Sequence, residues 1–277
     1  MGRLKVAALM SGEPGPLELW TLRHMASVAS ELRVVQAPPA PPPPSLKSAR
    51  TLFKRNGLLG TLSRFVGAAV GSRIAARDRE VLEELFDFDD LRAWWGSSGI
   101  APVKVRTLNH AESRAALSTM SPDVIVSVSG GVPHPRILSL AKLATLNIHH
   151  GRAPSIRGQW SIPWGIVEGR RDWIGATVHV VNGSDETGPI LWCGGPQLAP
   201  GDTHVDLLFR AHLEATKALS RILSAYASGA APPPWLSPGA AEGSTYRSSA
   251  GLREWLKLLY LDQGRRARVL LERGLDC

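Results

Sequence analysis

Cysteine is nearly missing from this 277-residue chain: Cys193 and Cys277 are its two examples. Two thiols build neither a disulfide framework nor a thiolate metal cluster, so the chain reads as a cytoplasmic protein kept under reducing conditions. Cys193, in Ile190-Leu191-Trp192-Cys193, reads as a buried core thiol. No apolar run reaches membrane-spanning length without a charge, which excludes a transmembrane helix. The opening run from Met1 to Met10 is too short and too soon interrupted for a secretory signal, and it fits a first buried strand. His134 and His204 lack a partner at metal-ligand spacing, so no metal site is expected. Basic motifs interleaved with aromatics are missing as well, which argues against a nucleic-acid module.

Positive charge, by contrast, is plentiful. The formal net charge is +8, with basic residues gathered between Lys47 and Arg79 and between Arg247 and Arg273. Such patches either form a solvated surface or draw phosphate, nucleic acid or an anionic membrane, and both readings stay open. A hydrophobic share of 44% with 20% charged residues is that of an ordinary globular protein, long enough for one large domain with a small appendage.

Along the chain, short apolar runs alternate with helical patterns. Leu4–Met10 reads as a strand, Leu17–Leu32 as a helix, and Leu32–Gln36 as a second strand. Pro38 to Pro44 then form an extended surface spacer. Residues from about 45 to 100 read as a basic helical insertion. It either packs on the core or lies on a membrane surface, and Trp94-Trp95 are expected to be buried. Val103–Arg106 is a strand leading into a helix. Pro122–Ser129 is nearly continuous in apolar residues, as a parallel strand covered on both faces should be. Pro135–Lys142 reads as a helix and Ala144–His149 as the next strand. Trp160 and Trp164, four apart, suggest one face of a helix beginning near Pro163. Gly175–Val181 and Pro189–Cys193 form a hairpin-like pair. Asp202 or Thr203 caps a long helix reaching about Ser228. The expected fold is α/β, a doubly wound and mainly parallel sheet. Residues 1–229 form the main domain; 230–277 form a Pro-rich linker and a short basic tail with a helix over Leu252–Leu271.

The chemistry concentrates in Leu146-Asn147-Ile148-His149-His150-Gly151, followed by Pro154 and Arg157-Gly158, and then by Asp185-Glu186-Thr187-Gly188-Pro189. Asn147 and His149 share a face of their strand, because side chains two apart point the same way. An amide can donate to a developing oxyanion, and an imidazole can move a proton in both directions near neutral pH. Gly130-Gly131 end the preceding strand, where backbone can approach a ligand closely. Ligands of open α/β sheets bind beyond such strand ends. His150 faces the other way and reads as packing or substrate contact; His179, mid-strand, reads as a satisfied core histidine. Arg157 either binds a substrate anion or holds its own loop.

Between about Pro122 and Gly229, the order of these motifs resembles the folate-dependent formyltransferases, a family with a Rossmann-like domain. The resemblance implies transfer of a formyl group from 10-formyltetrahydrofolate to an amine. His149 would act as general base and acid and Asn147 as oxyanion donor. Glu186 stands where the family carries an aspartate, with Asp185 one residue earlier, and either would orient the imidazole. The pterin would lie against Gly130, Gly131, Val132, Pro133 and His134, and against Asn182, Gly183 and Ser184. Met10–Leu17, with Glu13 and two prolines, makes a poor phosphate cradle for a ribonucleotide acceptor. The tail after Pro234 is short for an RNA-binding barrel, and no regulatory domain fits before Leu4. The expected acceptor is thus a small-molecule amine or hydroxylamine, such as an amino sugar or a specialised-metabolite precursor. A methionyl-tRNA formyltransferase-like enzyme and a non-catalytic binding protein of the same fold are the alternatives. A homodimer is compatible with the chain.

Overall fold

The computed structural model describes residues 3–39, 46–129, 133–182, 188–199, 201–230, 232, 245–247 and 252–262. In chain order they form β1 (Lys5–Ser11), α1 (Pro16–Ala26), β2 (Glu31–Ala37), α2 (Leu46–Leu85), α3 (Phe88–Ser97), β3 (Val103–Lys104), α4 (Ala111–Met120), β4 (Val124–Ser127) and α5 (Pro135–Leu138). Then follow β5 (Ala144–His149), β6 (Ile156–Gly158), α6 (Ser161–Glu168), a 3-10 turn (Arg171–Trp173), β7 (Ala176–Val180), β8 (Ile190–Gly194), α7 (His204–Ala227), β9 (Thr245–Arg247) and α8 (Leu252–Asp262).

Among these residues the main sheet runs β3-β2-β1-β4-β5-β7-β8. Its first five strands are parallel, and β7 is antiparallel to both β5 and β8. The doubly wound, mainly parallel arrangement expected from the alternation of elements is therefore present. Val6 to Met10 of β1 are all fully buried, as a central strand covered on both faces requires. One face packs on α1 and α7 through Val6, Ala8, Met10, Leu146 and Val178. The other packs on α4 and α5 through Ala7, Leu9, Val35 and Ile125.

Thr203 starts α7 with a capping box: its hydroxyl accepts from Asp206 N and its own N donates to the Asp206 carboxylate. Leu207, Ala211, Ala215, Ala218 and Ile222 recur at helical spacing and supply the buried stripe. The helical insertion is interrupted at Gly57, whose φ of 67° takes it out of helical geometry. Its Ile74 and Leu82 are buried in the α1–α7 cluster, the packed rather than membrane-surface arrangement. The tail returns to the same cluster: Trp255, Leu258 and Leu261 of α8 are buried there, and β9 pairs in parallel with β6.

Several expected boundaries shift. The first helix stops at Ala26, because the chain turns at Ser27 and the Ser30 N–H bonds to Leu4 O on its way into β2. The helix expected over Pro135–Lys142 is a single turn ending at Leu138; the Lys142 N–H bonds to Pro122 O and pulls the chain toward β5. Trp160 precedes α6 in a left-handed conformation instead of sharing a helix face with Trp164, and its ring meets Trp255 edge-on. Trp94 and Trp95 are half-buried, since α3 lies on the rim of the cluster. Cys193 is also only half-buried, because β8 is the last strand of the sheet. Of the expected Pro38–Pro44 spacer, Pro41 to Pro44 lie outside the described residues, as does the tail beyond Asp262.

Candidate active site

The apolar cluster beneath α4 and α5 ends at β4 and takes no described residue from β5 or β7. On that face, β5 and β7 instead carry polar groups. The register sets Ser127, Asn147 and His179 side by side across β4, β5 and β7, and sets His149 opposite Thr177. Antiparallel partners share a face, so all five side chains lie on one side of the sheet.

Asn147 Nδ2 is 3.2 Å from His179 Nε2, and His179 Nδ1 is 3.2 Å from the Val180 carbonyl. A carbonyl only accepts, so Nδ1 carries the proton and Nε2 accepts from the amide. That network assigns the Asn147 NH₂ to the His179 side and leaves its second N–H unspent among the described residues. His179 is thus buried and hydrogen-bonded, as expected of a core histidine, and its partner is the candidate oxyanion donor.

His149 Nε2 lies 3.3 Å from Ile156 O and 3.3 Å from Ser161 Oγ. Ile156 O likewise fixes a proton on Nε2. The intervening loop is tied down by Thr177, whose hydroxyl donates to Gly151 O at 2.7 Å and accepts from Ala153 N at 2.9 Å. The Ala153–Pro154 bond is cis. Gly151 is required here: a Cβ would stand 2.6 Å from Ser161 Cβ and 2.7 Å from His149 Nε2.

His150 alternates to the opposite face. Its Nε2 is 2.9 Å from His212 Nδ1 on α7, and His212 Nε2 reaches both Leu17 O and Thr21 Oγ1 at 3.0 Å. The donor order is set from the far end. Leu17 O accepts, so His212 carries its proton on Nε2 and receives the His150 N–H on Nδ1. Burial pushes the His150 pKa well down, with the His212 and His149 charges adding to the effect. Burial also lowers His212, to about 4, against a smaller upward pull from its bond to Leu17. Both rings are therefore neutral near pH 7.

Of the remaining expected site residues, Arg157 sits on β6 opposite Tyr246 of β9. Pro133 is buried, and His134 is exposed and caps α5 by accepting from Arg136 N. Asn182 is exposed just beyond β7. Gly130, Gly131, Val132, Gly183, Ser184, Asp185 and Glu186 lie outside the described residues. Ser127, Ser161, Thr177 and His212 were not singled out by sequence, and Gly151 was named there without a role. Only Gly151, adjoining the Asn-x-His run, carried a local signal.

Asn147 and His149 thus stand at the carboxyl end of β5, where open α/β sheets bind their ligands. The formyl transferase family model matches residues 73–223, more than half of the chain, and the chain belongs to that family. Among its relatives, the methionyl-tRNA formyltransferase of Aromatoleum aromaticum is 32% identical over 160 residues, covering 56% of this chain and 48% of that protein. The methionyl-tRNA formyltransferase of Anaeromyxobacter dehalogenans strain 2CP-C is 29% identical over 143 residues, 51% of this chain and 46% of that protein. The chain spans about half the length of these curated relatives. In fold it is similar to a sugar N-formyltransferase from Shewanella sp FDAARGOS_354, with a TM-score of 0.52 at 13% identity over 95% of this chain and 87% of that one. It is similar also to an N-formyltransferase from Helicobacter canadensis in complex with folinic acid and dTDP-3-aminofucose, with a TM-score of 0.52 at 12% identity over 88% and 71% of the two chains.

Proposed function

We propose that this protein is a cytoplasmic N-formyltransferase that moves a formyl group from 10-formyltetrahydrofolate to the amine or hydroxylamine of a small molecule, an amino sugar or a specialised-metabolite precursor. The observation that carries this reading is the His179-anchored Asn147 amide, with His149 two residues on along the same strand face. This donor set fits a formyl-bearing folate: one amide N–H remains for an oxygen and one ring for a proton. Bound, the folate supplies the activated formyl group.

The chain's own residues do the rest. The second Asn147 N–H donates to the formyl oxygen as negative charge develops. His149 takes the proton from the attacking nitrogen and returns it to the leaving nitrogen, its ring positioned by the Ile156 carbonyl and Ser161. Glu186 or Asp185 orients that ring. Pro133, His134 and Asn182, with the residues from Gly130 to Val132 and from Gly183 to Glu186, form the pterin site. The acceptor class draws support from the amino-sugar nucleotide named with the Helicobacter canadensis enzyme. The methionyl-tRNA formyltransferases, related at about 30% identity, support a second reading in which the amine is that of a charged tRNA.

The test is release of tetrahydrofolate from 10-formyltetrahydrofolate, followed by absorbance, with a panel of amino-sugar nucleotides, small amines and methionyl-tRNA. Release that needs one small amine supports the first reading, and release that needs methionyl-tRNA the second. Release without any acceptor, or none with every acceptor, defeats both.

A further inference from the structure

Beside the loop that follows His149 lies a cavity of about 1060 Å³, lined by Arg152, Arg170, Arg171, Glu168, Asp172 and Gln197 among others. Its walls come from the end of α6, the 3-10 turn ahead of β7, and the segment after β8. His149 pairs with Thr177 at the start of β7, and Ala176 pairs with Gly194 at the end of β8. The cavity therefore opens at the same end of the sheet as His149. Arg152 bridges the two: it is three residues past His149, and its stem lies flat over Gly175, where a Cβ would stand 2.8 Å from Arg152 Cγ.

Both carboxylates in this cavity are already paired. Arg170 grips Asp172 through two bonds of 2.9 and 2.7 Å, and those bonds hold the Asp172 carboxyl below the usual range. Glu168 accepts from Arg247 at 2.5 Å. Arg152 and Arg171 are half-buried; Arg152 acts on Asp172 through charge alone, and neither side chain has a hydrogen bond or close ion pair among the described residues. A guanidinium drawn partly out of water with its N–H groups unbonded is costly, and a planar anion repays that cost with paired N–H bonds. The volume matches a small-molecule site, for which roughly 300–1000 Å³ is usual.

We propose that Arg152 and Arg171 bind an oxyanion group carried by one of the two substrates, either a phosphate of the acceptor or a terminal carboxylate of the folate. The identity of the substrates rests on the formyl-transfer reading; the anion site does not. With a phosphate in place, the acceptor is a phosphorylated amine whose nitrogen is delivered along the Arg152 loop toward His149.

The experiment is a calorimetric titration of the full chain at low salt, once with inorganic pyrophosphate and once with a tri-γ-glutamate peptide. Saturable binding of pyrophosphate places the acceptor's phosphate here, and saturable binding of the peptide places the folate's carboxylates here. Either affinity should fall about tenfold in Arg152→Gln and again in Arg171→Gln, the size of one lost charge-assisted contact. Arg152→Lys should keep part of it. Arg253→Gln, on the exposed side of α8, should change nothing. Thermal melting of each variant shows that the fold persists. Saturable binding of neither probe overturns the proposal, and so does an equal loss in Arg253→Gln. Because the titration contains no formyl donor, its failure leaves the transfer reading standing, and a failed transfer assay leaves the anion site standing.

Discussion

His150 turns from the end of β5 into the layer between α1 and α7, where His212, Thr21 and the Leu17 carbonyl account for its ring. His149, one residue earlier, lies on the opposite face between Gly151, Ile156 O and Ser161 at the start of α6. Residue type is the same, and the strand pleat makes the difference. One side enters a packed layer that forbids charge. The other meets a loop and the start of α6, which hold the ring through Nε2. The strand face on which each imidazole stands decides its surroundings, and in the proposed mechanism its role.

The comparison breaks most sharply at His149. His149→Ala should lower kcat for formyl transfer by roughly 10²–10⁴-fold, the usual contribution of a positioned acid–base group. A His149→Ala protein turning over at the wild-type rate would remove the mechanism. A gentler break leaves the ring in place and moves it. Gly151→Ala sets a methyl into space already held by His149 and Ser161, so kcat should fall about 100-fold, the scale of an ångström-sized misplacement. KM should change less than kcat, and an unchanged kcat would show that the ring position is not critical.

On the other face the expected effect is on stability instead. His212→Leu leaves the His150 N–H buried without an acceptor and should cost about 1–3 kcal/mol in urea unfolding, with kcat nearly unchanged. Acid sharpens the same point. The folded state holds His150 and His212 neutral, with pKa values below 6.5, and His212 at about 4. Below about pH 6.5 the unfolded chain takes up protons that the folded chain refuses. Stability is therefore full above that pH and falls as pH drops toward 4, by at most about 1.4 kcal/mol per pH unit for each ring. Urea midpoints at pH 7 and pH 5 should lie closer together in His212→Leu than in the wild type. An equal separation would mean that His212 does not titrate as its burial requires.

Much of this was legible beforehand where the information is local. Ala144–His149 was expected as a strand over the residues it occupies, and alternation within it placed Asn147 and His149 on one face. Asp202 or Thr203 was expected to cap the long helix, and Thr203 does so through a capping box. Legibility failed where a distant group decides. The first helix ends at Ala26 because Leu4 receives Ser30, and the Pro135 helix is cut short because Pro122 receives Lys142. The partner of Asn147 lies 32 residues away, and that of His150 lies 62 away on a helix of the opposite layer.

By itself the sequence determined the order of the main-sheet strands with their principal helices, and the placing of amide and imidazole on one strand face. These depend on backbone geometry and on near neighbours. Only the tertiary structure decided that β7 runs antiparallel beside β5, so that His179 orients the Asn147 amide. It alone set Ser161 of α6 beside His149 and His212 beside His150. Those outcomes depend on which strands become neighbours, and a hydrogen bond between residues far apart in the chain exists only once packing has brought them together.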